Sequence, residues 1–263
     1  MSMLLDVIAT VGRGAIAVCR LWGSVGLFAL NGLSHLFRPP FYGRMFLRAF
    51  AEFAYFSLPV VAMTAVFSGM VIALQSYTGF ARFNANAESS IATIVVLSVV
   101  RELGPVMAGL MVAGRVGAAM AAELGTMRVT DQVDALSTLS TNPVKYLVAP
   151  RLLAGIIALP LLVTVANTLG IMGGFIVATV KLGFNPQTYL TSTLDSMQRI
   201  DVEVGLVKAA VFGFLIALMG CYTGYRSRGG AQGVGAATTA SVVAASVLIL
   251  AFDYVLSELF FSR

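Results

Sequence analysis

Leu152 to Val180 is a run of twenty-nine residues without a single charge. Nothing else in the chain constrains its fold as much. A helix rises 1.5 Å per residue, so about 20 apolar residues cross the roughly 30 Å hydrocarbon core of a bilayer. Inside hydrocarbon the backbone must bond to itself, which a helix does within one segment. Phe53 to Ala81 is equally free of charge. Three further apolar stretches run from about Ile91 to Gly114, Val204 to Tyr225 and Ala236 to Leu256. The pattern predicts an all-α membrane protein with about five transmembrane helices.

Composition agrees. Apolar residues make up 58% of the chain and charged residues 11%, against about 25% charged in soluble domains. The net charge of +5 is spread over span ends rather than gathered in a stripe, so it is no footprint for nucleic acid. Cys19 and Cys221 lie far apart in apolar surroundings and read as two small hydrophobes, not a disulfide framework. The N-terminal apolar stretch is broken by Arg13 and Arg20 and lacks an A-x-A site, so no cleavable signal peptide is expected.

Residues 1–40 read as an amphipathic helix. Asp6, Thr10, Arg13, Arg20, Ser24, Asn31, His35 and Arg38 recur at steps of three, four or seven, which puts them on one face. Such a helix fits the membrane interface. The rival, a sixth span over Leu21 to Phe37, is short and carries three glycines. Pro39-Pro40 ends the segment.

Between the second and third spans lies a polar island, Ala121 to Arg151. Glu123, Arg128, Asp131 and Asp134 are spaced like the wet face of a short helix. Basic residues then set topology. Arg13, Arg20, Arg38, Arg44 and Arg48 precede the first span; Arg115, Arg128, Lys145 and Arg151 lie in or beside the island. Arg226 and Arg228 lie in the turn between the fourth and fifth spans, while Arg82, Lys181, Arg199 and Arg263 fall on the other side. Five spans therefore place the N-terminus and the island in the cytoplasm and the C-terminus outside. Small-residue pairs at Gly109/Ala113, Gly170/Gly174 and Gly220/Gly224 allow close helix packing.

Motifs of soluble enzymes are missing. The sequence has no P-loop, no H-E-x-x-H and no G-x-S-x-G. Its one histidine, His35, has no companion ligands, so no metal site is expected. No catalytic residue stands out. What remains is charge in the spans: Arg101, Glu102, Lys208 and Asp253. A charge at the bilayer centre costs at least about 2.5–3.5 kcal/mol, so each needs a partner or a wet cavity. Neighbours on a helix point about 100° apart, so Arg101 and Glu102 need separate partners. The expected pairs are Glu102 with Lys208 and Arg101 with Asp253.

Three stretches carry a resemblance: FSGMVIALQ (Phe67 to Gln75), VVRELGPVMAGLMVAGR (Val99 to Arg115) and GRVGAAMAAELGTMRVTDQVDALSTLSTNPVKYLVAPR (Gly114 to Arg151). Together they resemble the MlaE/YrbE permeases, the membrane subunits of ABC transporters that work with MCE-domain proteins. The likeness covers most of residues 41–263, while residues 1–40 match only in character. It implies a subunit with no ATPase site and no cofactor of its own, ATP being bound by a partner. The island, residues 121–151, would couple to that ATPase through a helix at Glu123 to Asp134. Its charges would pair with the ATPase groove, and Leu124, Met127 and Val133 would insert as apolar knobs.

The resemblance further implies a homodimer in the inner membrane of a Gram-negative bacterium. Two ATPase copies, a hexameric periplasmic MCE protein and, in some systems, a STAS-domain protein would join it. The cargo would be glycerophospholipid moving between inner and outer membranes. Its cavity would involve Val71, Leu74, Gln75 and Tyr77, with Arg101 and Glu102 nearby. Two rivals remain open: a proton-coupled secondary transporter using Glu102, Lys208 and Asp253, and a non-transporting scaffold subunit.

Overall fold

A computed structural model of the chain describes residues 2–36, 38–80 and 87–261. Arg82 and Arg263 lie outside them, as do the side chains of Asp6, Thr10 and Glu88. Helices are α1 (Ser2–Leu36), α2 (Gly43–Phe53), α3 (Leu58–Phe80), α4 (Ala87–Ser98), α5 (Gly104–Val112), α6 (Ala118–Val129), α7 (Gln132–Thr138), α8 (Ala149–Ile176), α9 (Pro186–Ser196), α10 (Arg199–Tyr225) and α11 (Gly230–Phe261). No strand occurs among the described residues. Six helical stretches are long and apolar enough to cross a membrane, α1 included.

The five expected spans are all present, but the second is longer than its apolar run. π-helical turns at Val99–Leu103 and Ala113–Gly117 join α4, α5 and α6 into one helix. Nothing breaks helix after Gly114, and Ala118, Ala119, Ala121 and Ala122 are strong helix formers. The span therefore carries on into the polar island. It stops at Thr130 and Asp131, the latter at φ 57°, a left-handed conformation that Asp tolerates better than most residues. The single helix expected over Glu123–Asp134 is thus two, α6 and α7, with Asp131 at the corner. The polar connection after Lys181 also holds a helix, α9. Asn185 caps it by accepting from the N–H groups of Gln187 (2.9 Å) and Thr188 (3.4 Å), and Pro186 sits at its first position.

α8 is the central helix, packed on α3 and α10, and α10 also packs on α11 and α6. Close approach depends on glycine. A Cβ on Gly155 would lie 2.4 Å from the Gly213 carbonyl oxygen, and one on Gly213 would lie 2.0 Å from that of Gly155. Gly170/Gly174 and Gly220/Gly224 likewise face neighbouring helices of the same chain. The main core runs through these helices, and a smaller one at the opposite end joins Ala73, Val95, Ala178 and Tyr189.

α1 touches the bundle at one end. Ser24 bonds the Tyr222 hydroxyl at 2.6 Å, and Phe28 meets the rings of Tyr222 and Tyr225. Gly32 faces Leu152, and His35 lies 3.3 Å from the Asn142 amide. These partners are the end of α10, the start of α8 and the turn before it. Contacts eleven residues apart along α1 thus fall on the same end of the bundle, as in a helix lying across that end.

Candidate functional site

Charge gathers at two places, one towards each end of the bundle. The first is near the start of α10 and the finish of α11. Lys208 lies nine residues into α10, about 14 Å along its axis, and its side chain is fully buried. Its Nζ donates to Glu102 Oε2 (2.8 Å), Ser257 Oγ (2.7 Å) and the Arg101 carbonyl (3.0 Å). Asp253 Oδ1 is a fourth oxygen at 2.9 Å. An ammonium has three protons, and Asp253 Oδ1 receives no aligned hydrogen bond. Ser257 in turn donates to Glu102 Oε1 at 3.0 Å.

Glu102 meets Lys208, as expected of two opposite charges in the spans. Arg101 does not meet Asp253. Its Nε donates to Asp201 Oδ1 at 2.7 Å. Asp253 is drawn instead to Lys208, which leaves two carboxylates around one ammonium. Asp201 is wholly buried and holds the start of α10 through a reciprocal cap with Gln198. The cap delivers a carboxylate to that depth at the helix N-terminus, where the dipole favours it. An apolar pattern that starts the fourth span only at Val204 leaves Asp201 outside it and misses its role. The Q-x-x-D spacing at Gln198 and Asp201 is the signal that marks it. Ser257, four residues after Asp253, shows in sequence only as a hydroxyl in an apolar run.

Arg101 and Glu102 border an open cavity of about 490 Å³, with Tyr254, Ser257, Glu258 and Phe261 on its α11 side. The Arg101 guanidinium lies over the Phe261 ring, 4.5 Å from its centroid, a cation–π contact. Val71, Leu74, Gln75 and Tyr77 do not line this cavity. Val71 and Gln75 are exposed one turn apart on α3, Leu74 is half-buried, and Tyr77 packs on Phe184. Near this end the Tyr189 hydroxyl of α9 is buried without a hydrogen-bond partner. Burial pushes its pKa up to about 12.

The second place is the polar island. Glu123 accepts from Arg151 Nη2 at 2.6 Å, and Arg128 pairs with Asp134 across the α6–α7 corner. Asp131 is exposed, Met127 half-buried, and Leu124 and Val133 are buried in this chain's own core. Two of the three expected knobs, Leu124 and Val133, therefore point inward, because α7 folds back on α6. Just past α7, at its C-cap, Leu139 is 75% exposed. Arg115, on the second π turn, donates to the Glu52 carbonyl (3.0 Å) and to Ser57 Oγ (2.9 Å). It thereby holds the elbow between α2 and α3 to the helix that carries the island. Lys145 donates to the Pro39 carbonyl and Arg226 to Ser24. The basic residues of the N-terminal segment, the island and the α10–α11 turn thus share one end of the bundle.

A helical bundle with several membrane-length spans, ion pairs sunk in them and a helical projection at one end defines a multi-pass membrane protein of the transporter class. Residues 46–259 match the model of the family described as Permease MlaE, and the chain belongs to that family. It is 57% identical to a probable ABC transporter permease of Rickettsia felis over 98% of this chain and 99% of that one. It is 30% identical to the intermembrane phospholipid transport system permease protein MlaE of Haemophilus influenzae, over the same shares. With the chloroplastic protein TRIGALACTOSYLDIACYLGLYCEROL 1 of Arabidopsis thaliana it shares 38% identity over 78% of this chain and 58% of that one. The chain is a permease subunit of an ABC transporter, and that class implies an ATPase partner.

Proposed function

We propose that the protein moves glycerophospholipid between the inner and outer membranes of a Gram-negative bacterium as one half of a permease homodimer. A separate ATPase, in two copies, drives it from the cytoplasm through α6 and α7. A hexameric MCE-domain protein receives or delivers the lipid on the periplasmic side, and a STAS-domain protein completes the assembly in some systems. The N-terminus and the island are cytoplasmic and the C-terminus periplasmic, in line with the clustering of basic residues at one end.

The observation that carries this reading is the cavity beside Arg101. A lipid site needs apolar walls and a few polar groups for the headgroup. Here a guanidinium one-third exposed stands at the edge of an opening that Leu97, Tyr254 and Phe261 share with Ser257, Glu102 and Glu258, anchored from behind by Asp201. The exposed stripe Phe67, Val71 and Gln75 on α3 supplies a wall for acyl chains when a second copy faces it. The name of the Haemophilus relative, a phospholipid transport permease, fits the same cargo.

The test is a reconstituted complex of permease, ATPase and MCE protein transferring labelled phospholipid between vesicles. Arg101→Gln, which removes the charge and keeps a shorter polar side chain, is expected to slow transfer at least tenfold while ATP hydrolysis persists. Unchanged transfer sinks the assignment. Proton coupling has one observation behind it, the surplus carboxylate around Lys208. It requires transfer to follow an imposed proton gradient without ATP.

A further inference from the structure

At the island's end of the bundle, away from Arg101, an open pocket of about 560 Å³ is lined by Arg128, Tyr225, Arg226 and Arg228. Three guanidiniums and one nearby carboxylate, Asp134 on Arg128, leave two positive charges in excess. Two of the arginines are fixed in place. Arg226 stacks on Tyr222 at 4.7 Å and donates to its hydroxyl at 2.6 Å, and Arg128 lies 5.8 Å from the Tyr225 ring centroid. Arg228 is exposed and forms no ion pair among the described residues. It sits two residues before α11, whose first N–H groups lack helical partners. A Cβ at Gly233 would lie 1.8 Å from the Arg228 carbonyl oxygen, so this tight turn requires glycine and holds Arg228 beside the helix start. Fixed, planar guanidiniums next to a helix N-terminus suit a phosphate.

The pocket's level decides whose phosphate. Tyr222 and Tyr225 end the apolar run of α10 and pack on Phe28 of α1, which is where an interfacial aromatic belt lies. Arg226 also donates to Ser24 of α1. The neighbouring α1 side chains Leu21, Trp22 and Leu27 are all more than half exposed, as lipid-facing groups are. The pocket therefore opens at headgroup depth. We propose that Arg128, Arg226 and Arg228 bind the phosphate of an anionic phospholipid in the leaflet on the island's side. This site is separate from the cavity beside Arg101 and rests on the membrane reading alone. A bound phosphate competes with Asp134 for Arg128, so occupancy loosens the corner between α6 and α7.

The experiment uses the full chain in detergent. It is exchanged into phosphatidylglycerol or phosphatidylcholine, washed, and its retained lipid counted by native mass spectrometry. The expected result is preferential retention of phosphatidylglycerol, weakened about fivefold for each of Arg226→Gln and Arg228→Gln. Arg228→Lys, which keeps the charge, retains most of the binding. Equal retention of the two lipids, or Gln variants that behave as wild type, overturns the proposal. Inorganic phosphate binding as tightly as phosphatidylglycerol would make it a free-phosphate site. Displacement by a polyglutamate peptide without any preference for phosphatidylglycerol would make the pocket a docking surface for an acidic protein. Either outcome sinks the lipid assignment.

Discussion

Lys208 Nζ lies 2.8 Å from Glu102 Oε2, and this contact ties the second span to the fourth. Asp253 brings in the fifth at 2.9 Å. Removing the cation leaves two carboxylates facing each other with nothing between them. Lys208→Met is expected to cost about 3–5 kcal/mol, the usual penalty for breaking a buried pair. Adding Asp253→Asn removes the surplus charge and restores part of the loss. Thermal unfolding of the detergent-solubilised protein checks both. A single variant as stable as wild type would show that the ammonium is not needed there.

Arg101 and Asp201 form an unequal pair. Asp201 is fully buried and also accepts from the Gln198 N–H at 3.0 Å, whereas Arg101 is one-third exposed. Asp201→Ala strands a guanidinium and uncaps α10. Arg101→Ala strands a carboxylate that keeps its backbone bond. Arg101→Ala, which leaves the wholly buried carboxylate without its cation, is expected to lose more stability, up to about 3–5 kcal/mol, than Asp201→Ala, which gives up the cap at about 1 kcal/mol and strands a guanidinium that water still reaches. An Asp201 variant that loses more than the Arg101 variant in paired melting curves would contradict this order.

The spans were legible because length and apolarity are properties of a segment by itself. The Glu102–Lys208 pair was legible because a buried charge must find its opposite and few were on offer. Arg101's partner was not legible. Asp201 lies in a stretch whose polarity reads as loop, and only the depth of the α10 start shows that its carboxylate is buried. Leu124 and Val133 went astray for a related reason. Helical spacing places them on one face, but the left-handed turn at Asp131 decides that the face folds inward.

Glycine substitutions divide sharply by position. Gly213→Ala drives a methyl against the Gly155 carbonyl, 2.0 Å away, so α8 and α10 must part. The cost is expected at or above the upper end of the roughly 1–3 kcal/mol typical of overpacking. Gly26 on α1 has nothing within 4 Å of its missing Cβ. There Gly26→Ala is expected to be neutral or to stabilise by up to about 1 kcal/mol through helix propensity. Expression level and melting temperature separate the two.

Tyr189 gives a prediction in pH. Its folded pKa of about 12 lies above the free value near 10, so the folded state holds the phenol proton more tightly. Its contribution is complete below about pH 10 and is lost as pH rises through 12. Two units correspond to about 3 kcal/mol. Tyr189→Phe removes the titrating group together with a hydroxyl that has no hydrogen-bond partner. The variant is expected to equal or exceed wild type in stability near neutrality, since no bond is given up. It should also resist alkaline unfolding to a higher pH, as followed by circular dichroism.

Leu139 tests the proposed docking of the island on an ATPase. It is 75% exposed at the end of α7, beside a corner fixed by the Arg128–Asp134 pair. Leu124 and Val133 are already engaged within the chain, which leaves Leu139 and the half-buried Met127 as the apolar groups on offer to a groove. Apolar anchors at the centre of an interface are worth about 2 kcal/mol or more on truncation. Leu139→Asp is therefore expected to weaken ATPase association at least about thirtyfold without shifting the melting temperature of the isolated permease. Leu124→Asp does the reverse, unfolding the end of α6 before any question of partner binding arises. Pull-down of the ATPase by each variant, set beside its melting curve, distinguishes the two. If Leu139→Asp binds as wild type does, Leu139 has no part in docking the ATPase and the proposed coupling through α7 loses its support.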